Sequence, residues 1–187
     1  DKMRYLIVCG GKIDKEFGLN EIKTDGIDAI IAADSGMDFL YENGVTPDII
    51  VGDFDSTTTN ALEYFERKGQ TEIRRLNPIK DDTDTEYAIR LAISEGARSI
   101  VLLGATGSRI DHVLGNISLL GIGLESGTDI SIIDTNNRIR MADKPVTIEK
   151  SAQYGRFVSL IALTDDNEVS LRGFKYPVTD YSFDRFT

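Results

Sequence analysis

Asp48-Ile49-Ile50-Val51-Gly52-Asp53-Phe54-Asp55-Ser56 joins a short apolar run to two acids one residue apart. The run is too short for a stable helix and rich in β-branched residues, so it reads as a buried strand, 48–51. Side-chain direction on a strand repeats every second residue, which turns Asp53 and Asp55 the same way at the strand's end. Two like charges held that close repel unless something positive lies between them. A hard divalent cation, which prefers oxygen ligands, answers that need. The competing reading is local: Asp and Ser also favour helix caps and turns.

Outward from this segment the chain alternates strand and helix. Strands are expected at 4–8, 28–33, 72–76 and 99–103. Helices are expected at 37–42, 58–68, 84–94 and 110–120, several of them closed by Gly or by Asn-Gly. Such alternation gives an α/β fold with a parallel sheet flanked by helices. Ligands bind such sheets beyond the carboxyl ends of the strands. Asp34, the Asp53–Asp55 pair, the 81–84 group and Thr106 onward all fall at that edge. After residue 128 short strands are expected at 129–133, 138–141, 146–149, 157–163 and 168–172, without a helix. They suggest a small antiparallel β domain or sandwich. The expected domains are therefore 3–127 and 128–187.

The composition narrows the function. At 187 residues and 41% hydrophobic, the chain suits one domain or one with a small appendage. No apolar run approaches the roughly 18 residues of a membrane span, and the start lacks a secretion signal. The single cysteine, Cys9, ends an apolar run and reads as a packing thiol in a reducing, cytoplasmic setting. A net charge of −10 argues against a nucleic-acid partner while suiting a cationic substrate.

Two further clusters carry chemistry. Asp81-Asp82-Thr83-Asp84-Thr85-Glu86 opens a helix. The helix dipole accounts for some of these acids, but three aspartates in four positions exceed what capping needs. Asp84 is expected to reach the same cation as Asp53 and Asp55. Gly104-Ala105-Thr106-Gly107-Ser108-Arg109-Ile110-Asp111-His112 joins a strand to a helix. Its small residues allow close backbone approach and its helix start attracts anions. Arg109, His112 and Asn116 share one helical face. That stripe suits triphosphate and base contacts, although a lone His more often makes a structural hydrogen bond. Neither a Walker loop nor a Gly-x-Gly-x-x-Gly fingerprint occurs. Gly10-Gly11 is explained equally well by a phosphate or by a tight turn.

Taken in order, Ala33-Asp34-Ser35-Gly36, Pro47-Asp48 with Gly52-Asp53-Phe54-Asp55-Ser56, Asp81 to Glu86, and Gly104 to His112 through Asn116 resemble the thiamine pyrophosphokinase family. Gly173-Phe174-Lys175-Tyr176-Pro177 is similar to that family's C-terminal region. The resemblance implies a Rossmann-like domain followed by a C-terminal β-sandwich. It implies Mg²⁺-dependent transfer of a pyrophosphoryl group from ATP to thiamine, releasing AMP, in a homodimer that binds thiamine where its subunits meet. On this reading Asp53, Asp55 and Asp84 are catalytic metal ligands. Asp34, Thr106, Gly107, Arg109, Asp111, His112 and Asn116 contact ATP, and Lys80, Asp81 and Asp84 contact thiamine. The family usually continues into further strands beyond the Lys-Tyr segment, so the thiamine pocket is expected to be incomplete in a chain stopping at Thr187. Two rivals stand beside this reading. One is a haloacid-dehalogenase-like phosphatase using Asp53 as nucleophile, although that family carries its Asp-x-Asp on the first strand. The other is a non-catalytic nucleotide-and-metal-binding module.

Overall fold

The apolar runs of the first two-thirds become neighbouring strands of one sheet. The structure, a computed structural model, describes residues 3–55, 60–77, 82–107 and 109–185. The chain divides into two compact units, 1–154 and 155–187.

In the first unit, β1 (Arg4–Val8), α1 (Lys15–Ile22), β2 (Ala29–Ala33), α2 (Gly36–Glu42), β3 (Ile49–Gly52), α3 (Ala61–Lys68), β4 (Glu72–Arg75), α4 (Asp84–Ser94) and β5 (Ser99–Leu103) alternate as expected. They are followed by α5 (Ile110–Leu119), α6 (Gly121–Ser126), β6 (Asp129–Ile133) and β7 (Arg138–Arg140). Among the described residues, the sheet order is β4-β3-β2-β1-β5-β6-β7, with β7 alone antiparallel. The chain thus winds outward from β1 to β4, then returns to β1's other side with β5. The order reverses there, between the carboxyl ends of β1 and β5, which is where sheets of this kind open a crevice.

Alternate strand residues feed two cores. Tyr5, Ile7, Ile31, Ile49 and Val51 face Ala88, Ile89, Leu91 and Ala92 of α4. Leu6, Val8, Ala32 and Ile50 face Met37 and Leu40 of α2 and Ala61 and Phe65 of α3. Both faces of the sheet are therefore covered, and β1, β2, β3 and β5 read as apolar runs, whereas the outer strands β4 and β7 are mainly charged. Cutting a fully buried side chain such as Ile7 back to Ala would cost about 2–5 kcal/mol.

Local chemistry sets the helix ends. The Thr83 hydroxyl accepts from the Glu86 N–H at 3.1 Å and starts α4, while Gly69, at φ +65°, ends α3. Asp14 caps α1 through the Phe17 N–H at 2.9 Å. Neither α1 nor α6 is among the expected helices. Gly18 lies within α1, and glycines at positions 121 and 123 lie within α6, so neither carries a strong helical pattern.

The C-terminal boundary needs correction. β6 and β7 extend the main sheet, so its territory does not end at residue 127. Segments 146–149 and 157–163 are not strands; a three-residue 3-10 helix, Lys150–Ala152, lies between them. Their apolar residues stand exposed, among them Val146, Phe157, Ile161 and Leu163. Alternation gives a strand its face, but ladder bonds need a neighbour that sequence alone does not supply. Among the described residues, the second unit contains one antiparallel pair, β8 (Asn167–Leu171) and β9 (Val178–Phe183), with a register shift between Val169 and Leu171.

Candidate functional site

Three carboxylates from three different connections meet at the carboxyl edge of the main sheet. Asp34 follows β2, Asp53 follows β3 and Asp84 begins α4. One oxygen from each lies within 4.8 Å of the others, and all three side chains are partly buried. Asp34, expected to contact ATP, lies beside the other two acids. Its backbone is left-handed, at φ +48°, a conformation Asp tolerates better than most residues. Its N–H donates to the Val51 carbonyl at 2.8 Å, tying the ends of β2 and β3 together.

The electrostatics of the group call for a cation. Among the described residues, Asp34 Oδ1 is the buried side-chain oxygen without a hydrogen-bond partner. Burial pushes the Asp34 carboxyl above its ordinary pKa. The Ser35 N–H opposes that shift, while the nearby charges of Asp84 and Asp53 add to it. An orphaned oxygen beside two further carboxylates is a donor set that fits a hard divalent ion.

Asp55 does not join the group. β3 stops at Gly52 and Phe54 takes a left-handed turn at φ +61°, so the two-residue alternation ends before Asp53. Asp55 is exposed, and its N–H donates to Asp53 Oδ1 at 3.1 Å. Phe54 is buried in the core below, with the Arg75 guanidinium 5.5 Å from its ring centre, and so anchors the turn that aims Asp53. Lys80, Asp81 and Ser108 lie outside the described residues, as does Ser56.

The other half of the edge is built from backbone. The Gly11 N–H donates to the Gly104 carbonyl at 2.8 Å, bringing the loops after β1 and β5 together at the reversal point. A Cβ on Gly11 would lie 2.3 Å from the Thr106 carbonyl oxygen and 2.4 Å from that of Gly104, so only glycine fits. Gly107 lies against Gly11 and Lys12, at ordinary contact distance from where its own Cβ would stand. Asn116 turns back from α5, and its Nδ2 donates to the Ala105 carbonyl at 2.8 Å.

The polar stripe expected on α5 divides its work. Arg109 is the N-cap residue rather than part of the helix, and its exposed guanidinium pairs with Asp111, Nε to Oδ1 at 3.2 Å. That hydrogen bond holds the Asp111 carboxyl down at about 2. His112 is exposed, whereas Asn116 is partly buried against the loop. The N-terminal residues of α5 are thus solvent-facing, and Asn116 holds the loop.

Cys9 is fully buried. Its thiol is pushed up to about 11 by burial, against a weak hydrogen bond from the Thr85 hydroxyl at 3.7 Å. It packs at the start of α4, as expected for a structural thiol.

The fold is that of a doubly wound α/β protein, with a carboxylate triad after β2 and β3 and at the start of α4, and a glycine loop after β5. Comparison with known proteins gives the family. Residues 23–132 match the catalytic domain of thiamin pyrophosphokinase, and residues 145–186 match that family's vitamin B1 binding domain. The chain belongs to the thiamine pyrophosphokinase family. It is 36% identical over 152 residues to the thiamine pyrophosphokinase of Bacillus subtilis, an alignment covering 80% of this chain and 70% of that protein. Its fold is similar to the Bacillus subtilis crystal structure, with a TM-score of 0.85, 31% identity, and 98% and 86% of the two chains covered. The corresponding structure from Geobacillus thermodenitrificans gives 0.78 at 27% identity, covering 98% and 84%.

Proposed function

We propose that this chain transfers the pyrophosphoryl group of ATP to the hydroxyl oxygen of thiamine, giving thiamine diphosphate and AMP. The observation that carries the reading is the meeting of Asp34, Asp53 and Asp84 beside the Gly104–Gly107 loop, in a chain of this family. Those three acids would hold Mg²⁺, with Asp55 on the adjacent exposed turn. Bound there, the ion neutralises charge on phosphate oxygens, on which transfers of this type mainly depend.

The chain's own residues supply the rest. The glycine loop admits the phosphates close to backbone, and the start of α5 favours their negative charge. Arg109, exchanging its surface partner Asp111 for the nucleotide, takes charge that develops during transfer. His112 stands on the exposed first turn of the same helix, within the nucleotide assignment. Thiamine is a cation, so a chain of net charge −10 attracts it, and the region matching the vitamin B1 binding domain is assigned to it. A cytoplasmic location and a homodimer complete the reading. Among the described residues, no helix is long and apolar enough to cross a membrane.

The phosphatase alternative is not favoured: β1 ends at Val8 and is followed by Cys9-Gly10, with no acid pair, and Asp53 follows the third strand. Incubation with ATP, Mg²⁺ and thiamine tests the proposal. AMP and thiamine diphosphate in equal amounts are expected, and chelation should abolish both. Absence of AMP, or a covalent aspartyl-phosphate on Asp53, would refute it. Asp55 acts on the cation from the adjacent turn, so Asp55→Asn is expected to lower turnover about tenfold, the scale of one lost electrostatic contact; unchanged turnover would show that Asp55, outside the three-acid group, takes no part.

A further inference from the structure

The loop after β5 is clasped on a third side by a residue to which the proposed chemistry gives no part. Thr106 Oγ1 lies 3.0 Å from Asp134 Oδ2, at the end of the neighbouring strand β6. An ionised carboxylate only accepts, so the Thr106 hydroxyl is the donor. Asp134 itself cannot turn away. Its Oδ1 accepts from the N–H groups of Asn136 at 2.8 Å and Asn137 at 2.7 Å, and from Asn137 Nδ2 at 3.0 Å. The Asp134 N–H donates to the Asn137 carbonyl at 2.9 Å, and the Tyr154 hydroxyl donates to the Asp134 carbonyl. Burial alone would push the Asp134 carboxyl up, but these hydrogen bonds outweigh it and hold the group below the usual range, ionised at neutral pH.

The loop's polar atoms are therefore allocated. The Gly104 carbonyl faces Gly11, the Ala105 carbonyl faces Asn116, and the Thr106 hydroxyl proton is engaged by Asp134. Across a trans peptide, N–H and C=O point opposite ways. The amides of Ala105 and Thr106 thus point away from Gly11 and Asn116.

We propose that Asp134 is a positioning residue: by holding the Thr106 hydroxyl it fixes the 104–107 loop so that backbone amides, rather than that hydroxyl, meet the nucleotide's phosphates. The inference rests on the reading of this loop as the phosphate site. It differs from a mere turn role for Asp134 in what Asp134→Asn should do. Asn keeps the Oδ1 that accepts from the backbone N–H groups of residues 136 and 137, so the turn survives with the loss of one contact, that of Asn137 Nδ2 with Oδ2 at 3.1 Å. Its amide, however, donates to Thr106, reversing the hydrogen bond and freeing the hydroxyl proton.

The test measures ATP affinity by calorimetry, steady-state KM and kcat, and Tm, for the parent protein, Asp134→Asn, Thr106→Val, Thr106→Ser and the double variant Asp134→Asn/Thr106→Val. Each of the two disruptive single changes is expected to raise the KM for ATP about three- to tenfold, the scale of one net hydrogen bond. kcat and the KM for thiamine should stay within about twofold, because the contact is made equally in ground and transition states. The double variant should match the worse single variant, and Thr106→Ser, which keeps the hydroxyl, should recover most of what Thr106→Val loses. A parental KM for ATP in Asp134→Asn, additive losses in the double variant, or a KM that merely follows Tm would overturn the proposal and leave Asp134 a turn residue. A parent protein that binds no ATP would instead overturn the phosphate-loop reading, and this inference with it.

Discussion

The two halves of the sheet's carboxyl edge solve opposite problems with opposite materials. On the side of β2, β3 and β4, side-chain charge is concentrated: three acids lie within 4.8 Å, and one buried oxygen lacks a partner. On the side of β1 and β5, backbone approaches backbone through glycines, and the nearby polar side chains are engaged in holding the loop. The acidic half carries mutual repulsion among its carboxylates; the glycine half carries packing that leaves no room for a side chain at Gly11 or Gly104. Changes in the first half should therefore act on chemistry with little harm to the fold. Changes in the second should act on binding and stability together.

The sharpest way to break that contrast is Asp53→Asn. Removing one preorganised electrostatic group is expected to lower AMP release about 10²- to 10³-fold, with circular dichroism and Tm unchanged. Comparable losses in Tm and in turnover would erase the distinction.

Asp34→Asn should come next, with turnover falling by at least about tenfold. Its stability effect has the opposite sign. The Asp34 pKa is raised in the folded protein, so the native state holds that proton more tightly than the unfolded chain does. The cost of ionising it is absent at low pH, grows as pH rises from the ordinary carboxylate value through the folded one, and persists above. The metal-free variant should therefore melt higher than the parent at pH 7 and not below the ordinary carboxylate pKa. Added Mg²⁺ should raise the Tm of the parent much more than that of the variant.

In the glycine half, Gly11→Ala forces a Cβ to within 2.3 Å of a backbone oxygen. A destabilisation of about 1–3 kcal/mol is expected, together with a raised KM for ATP. An Ala variant with parental Tm and KM would show that the two loops do not depend on this approach. The smallest effect belongs to Asp111→Asn. The pair with Arg109 is exposed, so Tm at pH 7 should move by less than about 1 °C. Because the folded pKa of Asp111 is depressed to about 2, its contribution is present above the ordinary value and lost as pH falls towards 2. Parent and variant should melt together in stronger acid.

The inner strands of the main sheet were legible because β1, β2, β3 and β5 are short apolar runs that end in turn or acidic residues, and α4 was legible because Thr83 caps a periodic segment. What failed to show in the sequence depended on neighbours. Asp55 and Asp53 look paired at i and i+2, yet the left-handed Phe54 separates them, and Asp34, nineteen positions before Asp53, takes the place beside it. Val146 and Ile148 alternate as a strand would, but form none. Asn116 lies four residues past His112 and seven past Arg109, and yet it holds a loop carbonyl while they face solvent.

The sequence by itself determined the α/β alternation, the acids at the strand ends and the order of motifs that marks the family, because these follow from local periodicity and residue chemistry. Only the tertiary structure decided which acids share a site and that Asp134 secures Thr106. Those contacts join residues 19 to 50 positions apart in the chain, and the winding of the sheet on either side of β1, not any local preference, brings them within hydrogen-bonding or ligand distance.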